Sequence, residues 1–399
     1  MEKIKILLVS HAFVNERFRA SVADELAKFS DFEIKMISPL KASTTHNNLA
    51  YLSDKGVGNY KLIPSKTYFT ERQTFIIYGK ELKNTIKKWR PDIIDIFDET
   101  PWSFCVAQTI WLCKKYSPKT KVVFFSDNNV KRNWGGKRFF YRLIERYNCI
   151  NADRIYFPVR GGTYEKLVKE IGYKGKFSYI SSSVDMEKFH RSPAKKIRNL
   201  RKKIGLRNND ILLGIIGGLG RYQGTFFKGT LTALNALSNL PGNYKLLIMG
   251  KGKDEDKKYL NNYAKKRGID GSRIIIPGFV DEKEIVDYYS AMDIMIAMSV
   301  PRKDWAEPFG RMLIEGMACK IPIIGSNCGA IPLVINNDKF ICKVNDSSCL
   351  VKKIKYISSN KKEISKISEK AYKRVISEFS TKAMARKRRE LYYSVLGRK

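Results

Sequence analysis

Short runs of aliphatic and β-branched residues alternate along the chain with stretches in which apolar positions recur every three or four residues. Continuous apolar runs of this length suit strands buried on both faces of a parallel sheet, and the 3.6-residue period between them suits amphipathic helices. In the first half the runs are 4–9 (IKILLV), 33–37, 92–97, 121–125, 154–157 and 177–180. Helices are expected between them at about 17–29, 75–89, 103–116, 137–150 and 162–172. The rhythm breaks at the charged, proline-containing segment 183–196, then restarts with 211–217 (ILLGIIG), 245–249, 273–276, 293–298, 322–325 and 340–343.

This alternation predicts an α/β protein made of two Rossmann-like αβα domains facing each other across a cleft. The expected division is 1–190 for the first domain and 191–375 for the second. Residues 376–399 are expected to form a basic helix with Leu391, Tyr392 and Leu396 on one side, packing across the domain junction. In open sheets of this kind ligands bind outside the carboxyl ends of the strands.

Composition narrows the function classes. With 399 residues, 43% hydrophobic and 29% charged, the chain can bury full cores and is not a disordered polymer. No apolar run approaches the ~20 residues of a membrane span. Near the start, the apolar run after Lys5 ends at Ser10, too short for a signal-peptide core, so a cytoplasmic protein is expected. Seven cysteines without a CxxC pair read as reduced thiols, and three histidines (His11, His46, His190) exclude a mechanism needing several His ligands.

The net charge of +36 is unusual. It reads either as biased composition, Lys, Ile and Asn all being abundant, or as attraction to a polyanion such as anionic lipid or nucleic acid. Residues 351–399 hold 16 basic and 4 acidic residues, including Lys387, Arg388 and Arg389, so this tail is expected on an anionic membrane face. A specific nucleic-acid partner is not expected: no helix-turn-helix, RRM or zinc pattern is present.

Two constellations carry chemistry. After the strand 211–217, the loop GGLGRYQGTFFKG lets the backbone turn at Gly217, Gly218 and Gly220 and places Arg221 and Lys228 at a strand–loop–helix mouth. An Arg fork with a Lys point charge suits a diphosphate leaving group; a solvated basic loop is the plainer reading. The second is AEPFGRMLIEGMACK at 306–320. Glu307 stands just before a helix expected from about Phe309 to Cys319, whose start offers unpaired N–H groups to phosphate, with Glu315 deeper in it. Glu315 also fits a surface pair with Arg311. The carboxylates Asp254 and Asp256 lie in KGKDEDKK and read as a solvated helix start instead of a metal-binding pair.

In order and spacing, the GR…KG loop, MGKG at 249–252, IIIPGFV at 274–280 and EPFGRMLIE at 307–315 resemble the C-terminal domain of family-4 retaining glycosyltransferases of the GT-B fold. A looser likeness runs through IKILLVSHAF at 4–13, RPDIIDIFDETPWS at 90–103 and SSSVDMEKF at 181–189. The resemblance implies transfer of a hexosyl group from a nucleotide-diphosphate sugar, UDP- or GDP-linked, to a saccharide or lipid-linked acceptor in surface glycan biosynthesis, with no metal and no cofactor. It implies that Arg221 and Lys228 clamp the diphosphate and that Glu307 holds the donor sugar, these three being the catalytic candidates. Donor binding is further implied for Gly218, Gly220, Gly278, Phe279, Val280, Phe309, Gly310, Arg311, Met312 and Glu315. The first domain would take the acceptor.

Departures from the family pattern fall mainly in that first domain: VNERFRA at 14–20 replaces a Gly-Gly loop, and SDNNV at 126–130 stands where a His is common. Lys320 also occupies a position where Gly is usual. Acceptor-side candidates are therefore His11, Asn15, Arg17, Glu99, Asp127 and Asn128. His11 reads equally as a hydrogen-bonded structural residue, and Glu99 as a helix cap. An epimerase or phosphorylase on the same fold, and a basic nucleic-acid-binding protein, are the alternative readings.

Overall fold

The computed structural model describes residues 2–15, 21–43, 49–52, 59–70, 73–97, 100–131, 136, 138–278, 280–281 and 283–398. The chain divides into two compact units, residues 1–182 with 381–399, and residues 183–380. The expected boundary at 190/191 is thus corrected to 182/183. Residues 183–190 belong to the second unit, where Val184 N–H donates to the Phe379 carbonyl at 2.9 Å, tying the entering segment to the leaving one. The far boundary moves from 375/376 to 380/381.

In the first unit seven parallel strands are Ile4–Val9 (β1), Phe32–Pro39 (β2), Lys61–Ser65 (β3), Ile93–Ile96 (β4), Lys121–Phe125 (β5), Arg154–Phe157 (β6) and Phe177–Tyr179 (β7). Their order is β7-β6-β5-β4-β1-β2-β3. Ile6 of β1 lies between Ile34 of β2 and Ile93 of β4, which explains why the central runs are apolar throughout. The main helices are Lys80–Trp89 (α1), Phe104–Tyr116 (α2), Arg138–Asn151 (α3) and Tyr164–Glu170 (α4). Of the helix expected at 17–29, residues 16–20 lie outside the described residues, and the rest is broken, ending in a 3-10 turn at Leu26–Lys28. The helix expected from 75 starts only at Lys80, because Ile77–Tyr78 pairs with Thr67–Tyr68 as a small antiparallel ladder.

The C-terminal helix, expected from 376, runs over Thr381–Leu396 and clusters with this unit. Met384, Leu391 and Tyr392 enter the same core as Ile6, Phe32 and Tyr156. Its basic cluster is largely used internally. Arg388 is buried and donates to Asp95 Oδ2 at 2.6 Å and to Tyr156 Oη at 3.1 Å. Tyr392 and Tyr156 donate to the same carboxylate. Arg389 pairs with Asp31 at 3.0 Å. Two of the three KRR cations are thus engaged within the fold.

In the second unit six parallel strands are Ile211–Ile216 (β8), Tyr244–Met249 (β9), Ile274–Gly278 (β10), Ile294–Ala297 (β11), Ile323–Ser326 (β12) and Ile341–Cys342 (β13). The order β10-β9-β8-β11-β12-β13 reverses direction between β8 and β11. That switch point is where an open sheet leaves a crevice at its carboxyl edge. Helices Ala194–Lys203 (α5), Thr230–Leu237 (α6), Asp254–Lys265 (α7), Ile285–Ala291 (α8) and Arg311–Ala318 (α9) connect the strands. Leu213, Leu234, Leu246, Ile294 and Ile354 share its core.

Candidate active site

The two loops flanking the switch point in the second unit meet. One follows β8 and runs through the glycine-rich segment to α6; the other follows β11 and leads to α9. Close backbone approach explains the glycines. A Cβ at Gly220 would lie 2.6 Å from the Lys251 carbonyl oxygen, so MGKG after β9 packs directly on the first loop. Gly229 has φ +83°, and a Cβ there would stand 2.0 Å from the Met298 carbonyl oxygen at the end of β11. Only glycine lets the chain pass and enter α6 with Lys228 aimed at the neighbouring loop.

Lys228 Nζ lies 2.7 Å from Glu307 Oε2, and both side chains are mostly buried. Ser299 Oγ donates to the same carboxylate oxygen at 2.9 Å, and Ser326 Oγ holds the Ser299 carbonyl at 2.6 Å. Behind Glu307, the Ala330 N–H donates to its carbonyl at 2.8 Å, and Gly329 leaves the room that this requires. Lys228 also sits over the rings of Phe227 and Trp305, 5.3 and 5.0 Å from their centroids. Arg302 closes the outer side, bonded to Gln223 at 2.9 Å and Asp304 at 2.8 Å.

Arg221 does not reach this pair. Its Nε donates to Asp256 Oδ1 at 2.6 Å, and its guanidinium packs on Tyr259 and Phe226. The reading of 254–256 as a solvated helix start holds for Asp254 and fails for Asp256, which is buried at the start of α7. Burial pushes the Asp256 carboxyl up, but hydrogen bonds from Arg221 and from the Lys253 backbone outweigh it and hold the group below its usual range. Beside Arg221, an open depression of about 410 Å³ is lined by Leu219, Gly250, Lys251, Gly252, Lys257 and Gly278. Gly278 ends β10 with φ +80°, and Val280 follows it half-buried; Phe279 lies outside the described residues.

Phe309 is buried against Phe379, and Gly310, with φ +83°, precedes α9. Gly310 has no side chain to cap that helix, and no acidic residue stands in its first turn. Arg311 and Met312, half-buried, open the helix. One turn on, Glu315 is buried; its Oε2 accepts from Tyr289 Oη at 2.7 Å and its Oε1 faces Arg311 Nε at 3.5 Å. Both readings of Glu315 thus have a basis, since the i,i+4 pair exists and the carboxylate is anchored in the interior.

The first unit places its candidates at the carboxyl edge of its own sheet. His11 opens a 3-10 turn after β1 and Asn15 ends it; Ser10 Oγ ties this turn to the Phe97 carbonyl after β4 at 2.7 Å. His11 is buried, and desolvation pushes its imidazole down to about 4, so it is neutral at pH 7. Asp127 and Asn128 follow β5, and the Asn128 N–H faces Ser126 Oγ at 3.4 Å. Arg17 and Glu99 lie outside the described residues. Ser299, Arg302 and Trp305 were not singled out in the sequence, and Asp256 was read there only as part of a solvated helix start. Trp305 and Arg302 alone left a trace, as an aromatic and a cation just before EPFG.

Among the described residues no group of three His, Cys, Asp or Glu side chains is placed to hold a metal ion, and no helix is long and apolar enough to cross a membrane.

Residues 196–374, most of the second unit, match the family model described as "Glycosyl transferases group 1". Over 274 residues the chain is 24% identical to spore coat protein SA of Bacillus subtilis, covering 66% of this chain and 67% of that protein. Over 142 residues it is 27% identical to an uncharacterized glycosyltransferase of Methanocaldococcus jannaschii, covering 35% of this chain and 33% of that one. The chain thus spans only about a third of the archaeal relative. A solved glycosyltransferase from Rickettsia africae superposes with a TM-score of 0.74 at 21% identity, over 100% of both chains. Anabaena HepE, solved with UDP and glucose, gives 0.71 at 15% identity over 98% of this chain and 100% of that one. The fold is of the GT-B class, and most of the second unit is similar to a glycosyltransferase family model.

Proposed function

We propose that this protein is a retaining, metal-independent glycosyltransferase that moves a hexosyl group from a nucleotide-diphosphate sugar to a saccharide or lipid-linked acceptor in surface glycan biosynthesis. The observation that carries the reading is the buried Lys228–Glu307 pair at the switch point, beside a glycine-lined depression of nucleotide size. Arg221, oriented through Nε by Asp256, keeps its two Nη ends for the donor diphosphate. Lys228 and the positive end of α9 meet the charge that develops as the diphosphate leaves, without calling on a metal. Glu307 takes the sugar hydroxyls and Glu315 the ribose. Retention follows from the family resemblance, and the acceptor is assigned to the first unit on the same ground. Since HepE was solved with UDP, uridine is the first base to test.

The test is a thermal-shift panel of UDP-, GDP- and ADP-sugars with and without EDTA, followed by turnover and the anomeric configuration of the product. Selective, EDTA-insensitive stabilisation by one nucleotide is expected. Lys228→Met and Glu307→Gln should each lower turnover by about 10²–10³-fold. Each single change also strands a buried charge and should cost about 3–5 kcal/mol of stability, whereas the double variant should regain stability and stay inactive. An active double variant would remove the pair from the site.

A further inference from the structure

Helix α3 turns several large apolar side chains to solvent. Its Phe139, Leu143 and Ile150 are 76%, 50% and 51% exposed, and Phe140 is 54% exposed. At 100° per residue, Phe139, Leu143 and Ile150 fall within about 40° of one another, a continuous apolar stripe facing solvent. The buried side carries Cys149 and, beside it, two polar groups, Glu145 and Asn148, with Tyr141 and Ile144 half-buried. Asn148 Nδ2 donates to the carbonyls of Pro101 and Ser103 at 2.9 and 2.8 Å, which pins the helix and prevents it from rolling its stripe inward.

Exposed Arg142 and Arg146 border the stripe. On α2, which packs alongside, Lys114 bonds Asn151 at the end of α3, and Lys115 stands 5.2 Å from the ring of Trp111, itself 53% exposed. The two helices hold one acidic residue between them, Glu145, and it is buried. We propose that this face of α3 and α2 docks the protein on an anionic lipid surface, with the apolar stripe in the acyl boundary and the flanking cations at the headgroups.

Charge selects this occupant over a second copy of the chain, since self-association would press the same four cations against each other. It also selects lipid over nucleic acid, which would leave the aliphatic stripe uncovered. The docking face is separate from the donor chemistry and does not rest on the sugar-transfer reading.

Co-sedimentation with phosphatidylcholine vesicles, with and without about 30 mol% phosphatidylglycerol, tests it. Wild-type protein should bind the anionic vesicles, and Phe139→Ser/Leu143→Ser/Ile150→Ser should reduce the partition coefficient at least about tenfold. Arg142→Gln/Arg146→Gln, two exposed positions that carry no fold risk comparable to a core change, should reduce it comparably at about 50 mM salt and abolish the preference for anionic lipid. Unchanged binding by both variants would overturn the proposal. So would a wild-type protein that ignores vesicles and elutes as a dimer which the triple variant dissolves. A nucleotide-sugar thermal shift on the same samples judges sugar transfer separately.

Discussion

At the scale of single residues, His11 and Glu145 titrate against each other in the stability of the first unit. Burial holds His11 down at about 4 against 6.5 in the unfolded chain, so the unfolded state binds the extra proton and stability rises with pH across that window. Burial pushes Glu145 up to about 7 from 4.5, with Arg142 opposing, so the folded state keeps the proton and stability falls as pH rises from 4.5 to about 7. Each shift corresponds to roughly 3 kcal/mol, and the two offset between about pH 4.5 and 6.5. Denaturant melts of Glu145→Gln should therefore show stability climbing steeply over that range, and His11→Asn the reverse slope; two flat profiles would refute the assignment. Residues such as Lys228 and Glu307 were legible because glycines and a helix start surround them in the sequence. Their pairing was not, since 79 positions separate them and only the β8–β11 adjacency brings them together. Lys320 shows the complementary case: it occupies a left-handed position after α9, φ +58°, which explains the usual glycine there, and its Nζ is held by Glu369 at 2.7 Å.

Among elements, the central parallel strands were readable nearly to the residue, because burial on both faces leaves no polar alternation to confuse the period, whereas the edge strand β3, Lys61–Ser65, was missed because it is only partly buried and carries Lys61 and Pro64. Helix starts were less so: an apolar triplet such as Phe75–Ile77 fits a helix or a strand equally, and pairing with Thr67–Tyr68 decided it. The terminal helix was legible as a helix and illegible in its partner, because Asp95 sits inside β4 as an apparent exception to an apolar run. Burial raises the Asp95 carboxyl, and Arg388 with two tyrosines opposes it; Arg388, although desolvation opposes its charge, is held above its ordinary value by Tyr156 and Asp95. Arg388→Met should cost about 3–5 kcal/mol and loosen the terminal helix, read as faster amide exchange in 381–396, while Asp95→Asn/Arg388→Met should recover much of it. A single variant as stable as wild type would show the clasp to be ornamental.

Across the whole molecule, a charge of +36 over 399 residues opposes compaction by self-repulsion. Screening should relieve it, so the melting midpoint is expected to rise by a few degrees between about 20 and 300 mM NaCl; a fall would mean that exposed ion pairs such as Lys339–Glu363 outweigh the repulsion. The two-fold repetition of architecture was visible from rhythm alone. That residues 381–399 return to the first unit was not, because nothing local in a basic helix says which core it completes.

That return imposes an order on synthesis. Residues 183–380 have emerged in full while the first unit still lacks Met384, Leu391 and Tyr392, and the seat formed by Phe32 and Tyr156 stays uncovered. At about 5–20 residues per second the wait lasts roughly 10–40 s. The later-made unit can therefore fold first, and a chain broken off before Thr381 keeps a first unit that is unfinished. A chain lacking that segment therefore carries the mark of its incompleteness on its own surface, as apolar residues that no later-made part of the second unit covers.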